Sequence, residues 1–476
     1  MGPAASRIFT AFIAVVLVVS VAGDVEDVAS ADIGFEQIGN DIVGEVAGDE
    51  SGWAVAMSAD GTRVAIGAPF NSGTALEAGH VRVFEWDGAE WRQLGGDIDG
   101  ASSHDEFGAG VALSSDGSRV AIMARGDRDS EGYVGYVRVL DWDGADWTEV
   151  GGDIDPDDRF DGELALSADG SMLATSGTRA RVFEWDGAAW AQFGADIGTD
   201  PVDAVALSAD GRRVVGGNSG SDTNGLNAGS VSVFDWDGSA WVQIGAPITG
   251  DSPHDLFGLS VAVSADGSQV AVGTSGYSQT GDAGGYVRVV GWDGARWVPK
   301  GLDLLRAAPG DGFGRGVALA ADGNRVVIGA PNDFLPGSTP GYVRLAEWDG
   351  ARWVPASVDV RLGADVDPAG SDLFGYSVAL SGDGTRVAIG ALGPERAAGL
   401  VRVVGTRFVA PTTTAAPTTT STTVASTSPT SNPPASTTPV PAALPETGTS
   451  QRELTTAVVL LTCGLGCVYI ARRRQT

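Results

Sequence analysis

A tetrapeptide of the form S-x-D-G recurs seven times, with its Asp at 60, 116, 169, 210, 266, 322 and 383, at intervals of 56, 53, 41, 56, 56 and 61 residues. The sixth copy begins with Ala320 and the last reads SGDG. Self-similarity at such a period constrains the fold more tightly than composition does. Each copy must be one supersecondary unit that buries its apolar face only against its neighbours. The second unit runs "GVALS" from Gly110, a turn at Asp116-Gly117, "RVAIM" from Arg119, a loop, "YVRVLDW" from Tyr136, a turn at Asp143-Gly144 and "WTEVG" from Trp147. Alternating and β-branched residues bounded by Asp-Gly turns predict four antiparallel strands. Seven such units around an axis predict an all-β, seven-bladed β-propeller over residues 32–410.

The seventh unit ends "GLVRVVGTRFV" from Gly399 and lacks the W-D-G of the others, while "FEQIG" from Phe35 matches "WRQLG" from Trp91. Two segments therefore compete for the outermost strand of blade seven. The N-terminal one is favoured because it leads into the next blade in the same register as every other copy. Twelve of the 13 Trp lie in six copies of W-D-G-x-x-W, from Trp86 and Trp91 to Trp348 and Trp353. The Asp-Gly turn predicts that each pair faces across a hairpin and pins the edge strand. A ring of sugar-stacking platforms is the functional alternative.

The chain ends carry their own signals. Residues 1–31 hold one early Arg and an apolar run from Ile8 to Val21, read as a signal peptide cut after Gly23 or Ala31. Residues 411–443 are Thr, Pro, Ser and Ala with little else, read as an extended stalk reaching roughly 100 Å at about 3 Å per residue. Residues 444–476 open with Leu444, Pro445, Glu446, Thr447 and Gly448, continue through an apolar segment from Leu454 to Ala471, and close on Arg472 to Arg474. That segment is long enough to cross a bilayer, with the arginines cytoplasmic. Both Cys (Cys463 and Cys467) fall inside it, so the propeller must fold without disulfides. The order of pentapeptide, apolar helix and basic tail resembles the LPxTG sorting signal of Gram-positive surface proteins. The resemblance implies sortase cleavage between Thr447 and Gly448, attachment of Thr447 to peptidoglycan, and passage through the membrane before sorting. A chain with Arg almost throughout and Lys300 as its sole lysine points to an actinobacterial-type cell.

A formal net charge of −31 repels nucleic acid, and no basic patch offsets it. The sequence offers no H-E-x-x-H and no G-x-S-x-G. His104 and His254 occupy matching loop positions in units two and five, as repeat descent predicts. No catalytic set emerges, and enzyme function is not expected.

The two Asp-Gly turns of each unit lie on one face and barely change. The loops between second and third strands, and those leading to the next blade, lie on the other and vary freely, so the variable face is the expected site. It carries an "RGD" from Arg125 to Asp127 and acidic clusters: Asp97, Asp99 and Asp105; Asp153, Asp155 and Asp157; Asp365, Asp367 and Asp372. Asp97, Asp99 and Asp105 are the candidate cation ligands, with calcium as the cation and no other cofactor.

"FGAGVALSSDGSRVAIM" from Phe107, "FGLSVAVSADGSQVAVG" from Phe257 and "FGRGVALAADGNRVVIGAP" from Phe313 resemble FG-GAP repeats, the units of integrin-α-like propellers, over Phe35 to Val409. Unit three also resembles a WD repeat. FG-GAP calcium sites carry D-x-D-x-D-G where this chain has S-x-D-G, and one carboxylate cannot supply six to eight oxygens, so that metal site is not carried over. The reading is a wall-anchored surface protein that displays a propeller for adhesion to, or recognition of, an extracellular protein or glycan. An exported propeller enzyme acting on polysaccharide and a passive coat protein are the alternatives.

Overall fold

The computed structural model describes residues 32–409, apart from 127–134, 156–162, 199, 276–284, 309, 333–339, 357, 363–372 and 394–396. These residues belong to one compact unit. The signal peptide, stalk, sorting motif, apolar C-terminal segment, Asp127, Asp157, Asp365, Asp367 and Asp372 lie outside the described residues. Among those described, no helix is long and apolar enough to cross a membrane.

Seven antiparallel sheets follow one another along the chain, each built on four strands. In blade two these are Phe107–Leu113, Arg119–Ala124, Tyr136–Trp142 and Trp147–Glu149. Each innermost strand contacts the next around the ring, and that of blade seven (Val378–Leu380) returns to Ala54–Met57 of blade one. After its outermost strand each blade sends the chain back along its third strand. Ile98 pairs there with Val81, and Ile154 with Val137. The core consists of seven clusters, most of them shared by adjacent sheets. One brings Val81, Val83 and Ile98 of blade one against Phe107, Val120 and Ile122 of blade two.

Blade seven closes as the sequence predicts: Asp32–Gln37 supplies its fourth strand, paired from Asp32 with Val409 to Gln37 with Val404. "GLVRVVGTRFV" is its third strand, extended to residue 409.

The S-x-D-G turns are tied internally. Ser58 Oγ and Thr62 Oγ1 both donate to Asp60 Oδ1, as does the Thr62 amide, while the Arg63 amide donates to Ser58 Oγ. The variable second residue of the motif has a role the sequence does not announce. The amide of Ala59 donates to the carbonyl of Ser115, then Ser115 to Ala168, Ala168 to Ala209, Ala209 to Ala265, Ala265 to Ala321, Ala321 to Gly382, and Gly382 back to Ala59, at 2.8–2.9 Å. A closed circle of seven backbone hydrogen bonds thus laces the turns together. Small residues stand at all seven positions because the turns crowd the axis.

The Trp pairs meet across their hairpins at tilted or edge-on angles, with ring centroids 5.1–5.5 Å apart. They also join blades. The indole N–H of Trp91 donates to the carbonyl of Ile38 in the preceding blade, Trp147 to Leu94, and Trp353 to Lys300. Gly39 packs against Trp86 and Trp91 at φ 72°, where a Cβ would come within 2.7 Å of an indole carbon. An Arg at the start of most second strands forms a second joint. Arg119 pairs with Asp141 of its own blade at 2.5 Å and donates to Gly170 of the next. Blade five lacks both partners, having Gln269 and Gly291, and Lys300 takes over by donating to Gln269, to the Gly323 carbonyl of blade six and to Asn324.

Candidate functional site

The innermost strands converge on the axis, and at the end opposite the circle of turns they open into a funnel of about 480 Å³. Its wall is one column of the repeat, five residues before the first residue of S-x-D-G and immediately after Phe-Gly in blades two, five, six and seven. That column reads Trp53, Ala109, Asp203, Leu259, Arg315 and Tyr376 in blades one, two, four, five, six and seven. Blade three contributes Glu163, one residue further along, and Arg125 reaches in from a second-to-third-strand loop. The preceding Phe (Phe107, Phe257, Phe313 or Phe374) is fully buried, so it fixes the backbone from which the funnel residue projects.

Trp53 is the one Trp outside the hairpin motif. Its ring lies 5.1 Å from that of Tyr376 and 5.5 Å, edge-on, from Phe70. The Arg125 guanidinium sits 5.1 Å from the Trp53 ring centre. Arg315 lies 4.7 Å from the Tyr376 ring and donates to its hydroxyl at 2.7 Å. Cations over aromatic faces at these distances are held and oriented without being neutralised. Asp203 accepts from the amide and hydroxyl of Ser219 at 2.8 and 2.6 Å. The Glu163 carboxyl reaches solvent within the funnel, yet the surrounding walls displace much of the bulk water. That desolvation pushes its pKa up to about 7, with Arg315 and Arg125 opposing and Asp203 reinforcing the rise.

The expected cation ligands are distributed among different tasks. Asp105 is buried and accepts the amides of Ala101 and Ser102 and the hydroxyl of Tyr136, so it staples its loop. Asp99 pairs in register with His80; burial raises its pKa, countered by His80 and reinforced by Asp97. Asp97 is exposed and accepts from Gln93. Among the described residues, the carboxylates and imidazoles close enough to share an ion are Glu45, His80 and Asp97, a set that includes neither Asp99 nor Asp105. Asp153 is the ion-pair partner of Arg138 at 2.8 Å. Within "RGD", Arg125 lines the funnel and lies 3.8 Å from Glu106. His104 and His254 both adopt positive φ, and their amides donate to Leu76 and Leu226. They tie matching loops, as repeat descent predicts.

Of the funnel residues, the sequence singles out only Arg125, through RGD; the others were not identified from it. Their signal was present as a column of unlike residues (Trp, Ala, Asp, Leu, Arg, Tyr), visible once the units are aligned on S-x-D-G.

No protein-family model matches the chain, and no curated protein matches it. Among solved structures, hydrazine synthase of Kuenenia stuttgartiensis is similar over 74% of this chain and 94% of that one, at 16% identity and a TM-score of 0.46. That likeness transfers nothing to this chain, whose fold rests on its own seven sheets.

Proposed function

We propose that this chain is a surface-displayed recognition protein of the FG-GAP class, exported, anchored to the cell wall through Leu444 to Gly448, and binding an extracellular ligand in the axial funnel. The observation that carries the reading is Trp53, placed with Tyr376, Arg125 and Arg315 in a cavity that also presents Glu163 and Asp203. An aromatic platform edged by charged donors and acceptors suits a polar ligand with one flat face, such as a saccharide. The Trp pairs of the hairpins do not compete for this role, since the second indole of each pair commits its N–H to a neighbouring blade.

The test is a glycan and protein binding array probed with the full chain. Trp53→Ala and Arg315→Ala should each weaken the captured interaction at least tenfold while leaving the melting temperature within a few degrees. Retention of binding by both variants would remove the funnel from the reading. Anchoring has a separate test: deleting residues 444–448 should move the protein from the wall fraction to membrane or medium.

One observation favours an enzyme as the second reading. A carboxyl held near neutral pH beside another carboxylate is suited to general acid catalysis. Turnover of a captured polysaccharide that is lost in Glu163→Gln would favour that reading over simple binding.

A further inference from the structure

Six of the seven third strands carry an Arg at one repeat position, four residues before the first hairpin Trp in blades one, two, three, five and six: Arg82, Arg138, Arg181, Arg288, Arg344 and, in blade seven, Arg402. Five of these grip an Asp on the segment that follows the outermost strand. The pairs are Arg138 with Asp153, Arg181 with Asp196, Arg288 with Asp303, Arg344 with Asp359 and Arg402 with Asp41, at 2.6–3.0 Å. In blades two, five and six the strand begins with a Tyr whose hydroxyl donates to a loop Asp: Tyr136 to Asp105, Tyr286 to Asp255 and Tyr342 to Asp311.

Blade one breaks both rules at once. His80 stands in the Tyr position. It is 2% exposed, and its Nε2 has no hydrogen-bond partner. Asp49, the counterpart of Asp105, accepts the Val46 amide instead. Arg82 does not take Asp97, the counterpart of Asp153. It donates to the Val43 carbonyl at 2.9 Å and lies 3.7 Å from Glu45. Asp97 is thereby released toward His80. A ring nitrogen of His80 and one carboxylate oxygen each of Glu45 and Asp97 lie within 4.8 Å of one another.

We propose that Glu45, His80 and Asp97 form a binding site for a divalent transition cation of the zinc class. One imidazole and two carboxylates are the borderline donors that Zn²⁺ accepts, with a coordination position left for water, and calcium gains little from an imidazole. A cation there gives the buried imidazole a partner. Asp99, opposite His80 in the ladder, adds negative charge, and Arg82 opposes the cation through its contact with Glu45. The Val43 carbonyl anchors Arg82 independently of that contact.

The position assigns the cation a task. Glu45 follows Ile42–Val43, which pairs with the third strand of blade seven, whereas His80 and Asp97 belong to blade one. The ion therefore clips the seam at which the ring closes.

The test is thermal unfolding and calorimetric titration of the full chain after chelation, with Zn²⁺, Mn²⁺ or Ca²⁺ added alone. Binding to the folded state stabilises it by mass action. Zn²⁺ should raise the melting temperature saturably at one ion per chain, and Ca²⁺ should do so far less. His80→Tyr installs the residue of blades two, five and six, so it should fold and lose the zinc response. Asp97→Asn should weaken zinc at least tenfold. A zinc response that persists in His80→Tyr would place the ion elsewhere, at His104 or His254, and overturn the proposal, as would the absence of any response or a larger response to calcium than to zinc.

Discussion

At the scale of single residues, the cost of a change follows from what its atoms are committed to. Trp147 is almost fully buried and its indole N–H holds the Leu94 carbonyl of the neighbouring blade. Trp147→Ala should therefore lower stability by about 3–5 kcal/mol in denaturant melts, as a large-to-small core change. Trp147→Phe keeps most of the ring and should lose only about 1 kcal/mol for the missing hydrogen bond. Equal losses would mean that the indole bond, and not the ring, accounts for the effect. Glu163 behaves oppositely, because its carboxyl is held up to about 7 from an ordinary 4.5. A folded-state pKa above the unfolded one makes ionisation harder in the fold, so stability falls as pH rises between those values and stays low above them. Glu163→Gln should match wild type at pH 4 and exceed it at pH 8. A difference in unfolding midpoint that is the same at both pH values would show that the carboxyl is not perturbed.

At the scale of the element, the S-x-D-G turns act as a set. Burial alone would raise the pKa of Asp60, but hydrogen bonds from Ser58 and Thr62 outweigh it and hold it below the ordinary range; Asp116, Asp169, Asp210, Asp266 and Asp383 are held down in the same way. For a depressed carboxyl the stabilisation is present above the unfolded pKa and lost as pH falls through the folded one. Acid unfolding should therefore steepen below about pH 4, and Asp116→Asn should make the melting temperature less sensitive to pH in that range. These turns were legible in the sequence because their partners lie two to five residues apart. The Arg–acid joints were not, since Arg119 and Asp141 are 22 residues apart and the indole bond of Trp147 spans 53. Such pairs emerge only when units are compared column by column. Blade five shows the columns changing together: Gln269 and Gly291 replace Arg and acid, and Lys300 bridges instead. Gly291 has open space where a Cβ would stand. Lys300→Ala should lower the melting temperature, and adding Gln269→Arg with Gly291→Asp should restore it. Failure of that rescue would mean that Lys300 acts through more than the joint.

At the scale of the whole molecule, ring closure is the feature on which all seven blades depend. The strand Asp32–Gln37 pairs with the second half of the third strand of blade seven, from Val404 to Val409, and either expected signal cleavage leaves it in the mature chain. The residues just after it complete two further joints of the seam, since Ile38 accepts the Trp91 indole and Asp41 holds Arg402. The funnel lies on the same axis, and its wall draws residues from every blade, among them Trp53 of blade one and Tyr376 of blade seven, whose rings meet across the closing seam. Removing residues 32–37 should therefore do more than shorten an edge. It uncovers a long third strand as a template for pairing with another chain, and it loosens the contact between blades one and seven on which Trp53 and Tyr376 rely. Two readouts should move together: size-exclusion chromatography should show dimers or larger species, and binding in the funnel should weaken even though none of its residues has been altered. A truncated chain that stays monomeric and keeps its affinity would show that the circle of hydrogen bonds between the S-x-D-G turns, which the deletion leaves untouched, is enough to hold the ring closed.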